Sequence, residues 1–135
     1  MKTLLDGAAN ASVEHWGYIE DRNRYLDVLR SADCAVSTSV HDFQGLSMLE
    51  AAATGCSPLV PQRLAYPELF RQEFLYKSNV SKPEFEARSL LEHLKRLAGR
   101  KASHLNLPTA DVFGFAWQAQ EQAYLSVFES VAACR

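Results

Sequence analysis

Apolar residues fall along this chain in two alternating rhythms. Four short runs have strand length: 13–16 (Val13, Glu14, His15, Trp16), 34–36 (Cys34, Ala35, Val36), 58–60 (Pro58, Leu59, Val60) and 74–76 (Phe74, Leu75, Tyr76). Between them the spacing becomes helical. Tyr25, Val28, Leu29 and Ala32 stand at i, i+3, i+4 and i+7 and predict a helix over 21–32, with Asp21 as its N-cap or first-turn residue. Leu46 to Ala53 predict a short helix closed by Gly55, and three consecutive alanines, Ala51, Ala52 and Ala53, would let it lie close to a sheet. Pro67 opens a helical turn through Phe70. Ser81 and Glu84 have capping-box spacing, and Ala87, Leu90, Leu91, Leu94 and Leu97 continue the stripe of a helix over 82–98. Phe113, Ala116, Gln120, Ala123, Tyr124, Val127 and Val131 trace one face of a last helix over 112–133. Residues 2–8 carry a little helical character and 9–12 a loop. Strands alternating with helices through short loops predict an α/β fold: a three-layer, Rossmann-like parallel sheet of about four strands with helices on both faces.

Composition narrows the classes without choosing among them. The 135 residues suit one globular domain, and a net charge of −2 gives no electrostatic reason to grip nucleic acid or anionic lipid. No window reaches membrane-span length, and the N-terminal stretch is too short and too soon acidic for a signal peptide, so a cytoplasmic protein that meets no membrane is expected. Cys34, Cys56 and Cys134 lack C-x-x-C spacing and read as free thiols. Four strands make a small sheet, and an aromatic helix comes last with no strand after it. A lone domain has that layout, and so has the back half of a larger α/β unit. Oligomeric state is not legible.

Chemistry concentrates at 41–50. A loop that leaves a strand and enters a helix at Gly45 points the amides of Gly45, Leu46 and Ser47 outward, where they and the helix dipole favour an anion. The same turn also serves simply to connect strand to helix, with Asp42 a capping acid. Glu50 lies one turn inside, on the face of Leu46. A carboxylate there repels phosphate but accepts hydrogen bonds from vicinal hydroxyls, or else is a solvated helix acid. His41 is either a proton carrier or a loop histidine. His15, His93 and His104 have no companion ligand at metal spacing, so no metal site is expected. No D-x-D, G-x-G-x-x-G or P-loop pattern occurs. Lys95, Arg96, Arg100 and Lys101 complement a helix C-terminus.

The run D-F-Q-G-L-S-M-L-E at 42–50, followed by Ala51, Gly55 and an apolar strand, resembles the E-x7-E region of retaining glycosyltransferases with two Rossmann-like domains, the GT-B fold. Ala32-Asp33 before the strand is similar to the A-D that ends the upstream helix in that family. H-W-G-Y at 15–18, H-D-F-Q-G-L-S-M-L-E-A at 41–51 and Y-P-E-L-F at 66–70 resemble, further, the glycosyltransferase-like domain-containing protein 1 group, associated with mannosylation of queuosine in transfer RNA.

That resemblance implies a donor-binding half. Glu50 would accept from ribose hydroxyls of a nucleoside-diphosphate sugar such as GDP-mannose. Asp42 would be catalytic, touching the transferred sugar. Backbone around Gln44, Gly45 and Leu46 would meet sugar and diphosphate, with His41, Phe43 and Ser47 completing the substrate-binding loop. Gly17, Tyr18 and Ile19 would hold the nucleobase. No further cofactor is implied. Residues 1–108 would be a partial nucleotide-sugar-binding domain of truncated GT-B type. Residues 109–135 would be a helix packing toward a missing N-terminal domain, through which a tRNA acceptor would bind, so Phe113, Phe115, Trp117 and Phe128 should not all be buried. Asp42 stands where the family has a longer Glu, and the basic residues that clamp the diphosphate lie upstream of this chain. The fragment alone should therefore be inactive. A competing possibility is a non-catalytic α/β module that binds an anion or a protein through the same loop.

Overall fold

A computed structural model of the chain describes residues 13–133; the expected helical character at 2–8, the loop at 9–12 and Cys134 lie outside them. The elements are α1 (Arg22–Ser31), β1 (Cys34–Val36), α2 (Leu46–Ala53), β2 (Ser57–Pro61), α3 (Tyr66–Leu69), β3 (Leu75–Tyr76), α4 (Pro83–Ala102) and α5 (Trp117–Ala133), with 3-10 turns at Gln72–Phe74 and Phe113–Phe115. The strands form a parallel sheet in the order β1-β2-β3, with Ala35 beside Pro58 and Val60 beside Leu75. The fold is α/β, as expected.

Alternation along the strands builds the layers. Ala35, Val60 and Leu75 face one side, where Met48 and Ala52 of α2 join Tyr66, Phe70 and Phe74 in the larger core cluster. Cys34, Leu59 and Tyr76 face the other, against Leu90, Leu94 and Leu97 of α4. Ala51 and Ala52 are buried, so small side chains do let α2 approach the sheet. Every residue of β2 is buried, as a strand covered by helices on both faces must be.

Two expectations need correction. Residues 13–16 are not a strand; Val13 and Trp16 are 50% and 72% exposed, and no described strand lies beside them to supply ladder hydrogen bonds. The sheet therefore has three strands among the described residues, not about four. The capping box does not form either. Lys82 is the N-cap of α4 and Pro83 sets its first turn, which puts Ser81 one residue too early to reach the helix amides. The helix expected over 21–32 forms as α1, with its stripe half-covered: Tyr25 and Leu29 are half-buried, Val28 is exposed, and no residue of the helix is fully buried. Asp21 does cap it, accepting from the Arg24 amide at 2.6 Å.

The last helix, α5, has no buried residue. Phe113, Phe115, Trp117 and Phe128 are all exposed. Among the described residues no helix is long and apolar enough to cross a membrane.

Candidate functional site

The loop from β1 to α2 is held by side chains far away in sequence. Arg63, after β2, donates from Nε to the Ser39 carbonyl at 2.9 Å and from Nη2 to the Thr38 carbonyl at 3.1 Å. Its Nη1 reaches Ser78 Oγ at 2.7 Å and the Glu86 carboxylate at 2.5 Å. Both partners of this ion pair are largely covered, and Arg63 holds the Glu86 carboxyl below its ordinary range. Thus the start of α4, the end of β2 and the loop after β1 are bolted together. Leu64 follows with φ +57°, a left-handed conformation that strains an L side chain and turns the chain into α3.

At the helix entrance Gly45 is the N-cap of α2, with φ +63°. Asp42 therefore does not cap by position. Instead its Oδ1 accepts from the amides of Gln44 at 3.2 Å and Gly45 at 2.7 Å, an Asx-type turn. Its Oδ2 accepts from the Tyr66 hydroxyl at 2.7 Å. These donors, Tyr66 foremost and then the Gly45 amide, hold the Asp42 carboxyl below its ordinary range. The expectation that the Gln44 and Gly45 amides face a ligand is corrected here, because Asp42 already occupies them. The amides of Leu46 and Ser47 have no hydrogen-bond partner among the described residues and are the ones turned outward. Asp42, Phe43, Gln44, Leu46 and Ser47 line an open cleft of about 610 Å³, and Phe43 beside it is 88% exposed.

Glu50 lines a different cleft. Together with Tyr18, Ile19, Glu20, Arg22 and Tyr25 it encloses about 290 Å³. Tyr25 Oη donates to Glu50 Oε2 at 2.9 Å, and Arg22 Nη1 pairs with Oε1 at 2.8 Å. The Arg22 guanidinium also lies 5.9 Å from the centre of the Tyr25 ring. These partners on α1 draw the carboxylate sideways, away from the helix entrance that the i, i+4 relation to Leu46 pointed to. Glu50 remains one-third exposed, and two donors leave a carboxylate with unused lone pairs. Burial, followed by the bond to Glu50, raises the Tyr25 phenol above its ordinary value, so it stays a donor.

The structure thus brings Tyr18 and Ile19 to Glu50, and gathers Asp42, Phe43, Gln44, Leu46 and Ser47 at the entrance. Gly45 is buried beneath that entrance. Gly17, at φ +100°, shapes the turn into Tyr18, and His41 is exposed and lines neither cleft. Among the described residues no three of His, Cys, Asp or Glu are grouped to hold a metal ion. Cys56 is buried and Cys34 half-buried, and burial pushes the Cys34 thiol up to about 11. Sequence reasoning missed Arg22, Tyr25, Arg63 and Tyr66. One signal for the tyrosines was available: a phenol on an apolar face still needs a polar partner.

No family model matches the chain, and no solved structure matches it. Among curated proteins, the tRNA-queuosine alpha-mannosyltransferase of Drosophila melanogaster is 43% identical over 65 residues, which are 48% of this chain and 17% of that protein. The chain therefore matches only a small part of that relative's length.

Proposed function

We propose that this chain is the donor-binding part of a retaining glycosyltransferase of the GT-B, E-x7-E type, with Asp42 and Glu50 as the acidic pair. In this reading the nucleobase lies against Gly17, Tyr18 and Ile19. The ribose hydroxyls donate to Glu50, whose orientation Tyr25 and Arg22 fix before any ligand arrives. The diphosphate meets the amides of Leu46 and Ser47 at the positive end of α2. As the glycosidic bond breaks, negative charge grows on the leaving diphosphate, and preorganised amides stabilise it without reorganising. Asp42, an acceptor at all ordinary pH values, takes hydroxyls of the transferred sugar. The sugar is mannose carried by a guanosine diphosphate, and the acceptor is queuosine in tRNA, held by a part of the whole protein that lies outside this chain. The chain by itself binds donor but transfers nothing, since an acceptor must also be positioned.

The observation that carries this reading is the Glu50 cleft: an oriented, one-third exposed carboxylate opposite an exposed aromatic, Tyr18, on the rim of a cavity. The relative's name supports the mannosyl and tRNA parts. The test is a titration of the isotope-labelled chain with GDP, UDP, GDP-mannose and inorganic phosphate, following the amides of 17–19 and 42–50. GDP-mannose and GDP should shift both groups, UDP less, and Glu50→Gln should weaken GDP by roughly tenfold, the worth of one hydrogen bond to a charged acceptor. Equal shifts from phosphate alone would leave only generic anion capture and refute the proposal.

A further inference from the structure

Tyr66 is the most completely buried aromatic near the helix entrance, 1% exposed, and its hydroxyl sits in a chain of hydrogen bonds whose direction is determined. The Ser39 amide donates to Ser37 Oγ at 3.2 Å, so that oxygen is an acceptor there. Ser37 Oγ and Tyr66 Oη are 2.7 Å apart, and Tyr66 Oη is 2.7 Å from Asp42 Oδ2. An ionised carboxylate can only accept, so the phenolic proton goes to Asp42 and the Ser37 proton goes to Tyr66. The relay therefore runs Ser39 to Ser37 to Tyr66 to Asp42. Ser37 is fixed as well, since Tyr76 Oη donates to its carbonyl at 2.9 Å. The Tyr66 ring does a second job. A Cβ on Gly45 would stand 3.3 Å from Tyr66 Cε1, so the ring lies directly under the turn whose following amides face outward. Burial, as the leading cause, raises the Tyr66 phenol above its ordinary value, which keeps it protonated and donating.

The two acids are thus braced by different tyrosines from different elements. Tyr25 of α1 holds Glu50, and Tyr66 of α3 holds Asp42. We propose that Tyr66 is a positioning residue for the sugar end of the donor site, aiming Asp42 through its hydroxyl and shaping the Gly45 turn through its ring, independently of the nucleoside end. The proposal rests on the donor-binding reading above. It separates the two ends of one ligand: loss of the Tyr66 hydroxyl leaves Asp42 held through Oδ1 alone, loosens Oδ2 and costs contacts to the sugar, while the nucleotide keeps its hold on the Glu50 cleft.

Tyr66→Phe tests this, because it keeps the ring and removes the oxygen; Ser37→Ala removes the upstream donor and leaves Tyr66 intact. Calorimetric titration of the full 135-residue chain with GDP and with GDP-mannose gives the affinity ratio of the two ligands, and carbon-detected NMR gives the Asp42 carboxyl midpoint. Tyr66→Phe should leave GDP affinity within about twofold, reduce the affinity gained from the mannose by roughly five- to tenfold, and raise the Asp42 midpoint toward its ordinary value. Ser37→Ala should move the ratio and the midpoint in the same direction by less. Tyr25→Phe should weaken both ligands together and leave the Asp42 midpoint in place. A purely structural role for Tyr66 would lower stability with the ratio and midpoint unchanged, and that result overturns the proposal. If the unsubstituted chain binds neither ligand, the donor-binding reading itself falls, and the positioning role for a sugar falls with it.

Discussion

Replacing Gly45 by alanine should be the most damaging single-methyl change in the loop, and its cost can be worked from two separate sources. The first is the backbone: at φ +63° an L residue sits in the left-handed region, at a cost of about 1–2 kcal/mol. The second is space. The new Cβ would stand 2.7 Å from Leu69 Cδ1 and 3.3 Å from Tyr66 Cε1. Leu69 presents the tip of a flexible side chain and can rotate away, but Tyr66 is tied to Ser37 and Asp42 and has little freedom to yield. Overpacking of this kind adds about 1–2 kcal/mol. The sum, about 2–4 kcal/mol, should appear in urea unfolding as a fall in midpoint of roughly 1.5–2.5 M at an unchanged slope. Truncating Leu69 removes the closer contact but leaves Tyr66 in place, so in a Leu69→Ala background the cost of Gly45→Ala should shrink only in part, with the backbone and Tyr66 shares remaining. A loss under about 1 kcal/mol, or a cost indifferent to Leu69, would refute the argument.

Arg63→Met should cost about 2–4 kcal/mol, since it leaves the largely covered Glu86 carboxylate without its counter-charge, with Ser78 still donating to it, and the carbonyls of Thr38 and Ser39 without the Arg63 donor. Adding Glu86→Gln should recover part of that loss in the same denaturation assay, and a strictly additive double variant would contradict a coupled pair. The acid limb of stability has a definite sign. Asp42 and Glu86 are both held below the ordinary carboxylate value, so the stability they contribute is fully present above about pH 5 and is lost as pH falls from there through their depressed folded values. Tyr66→Phe should flatten the Asp42 share of that fall, and a limb identical to that of the unsubstituted chain would show that the phenol does not hold the carboxylate.

The helix at Leu46–Ala53 and the runs at 34–36, 58–60 and 74–76 were readable in the sequence, because each is specified by nearest neighbours: apolar periodicity inside, glycine or a polar stop outside. The same runs show the limit of that reading. The stretch at 13–16 has strand-like side chains just as 74–76 does, yet only 74–76 finds a neighbour, beside Val60, and a strand exists only where another strand offers its amides and carbonyls.

The candidate site divides in the same way. Asp42, Gly45 and Glu50 stood out in the sequence because a glycine at a helix start and two acids with seven residues between them are a local pattern. Their present roles are not local. Tyr25 and Glu50 are 25 residues apart, Asp42 and Tyr66 are 24 apart, and Arg63 reaches across 23 to Glu86. Each of those bonds depends on which faces of which helices the sheet brings together. The amides of Gln44 and Gly45 looked available until Asp42 was seen folded back upon them. Which residues compose the entrance is a property of the chain; which donors and acceptors remain open there is decided by packing, because a buried polar group takes the nearest partner that the tertiary structure supplies.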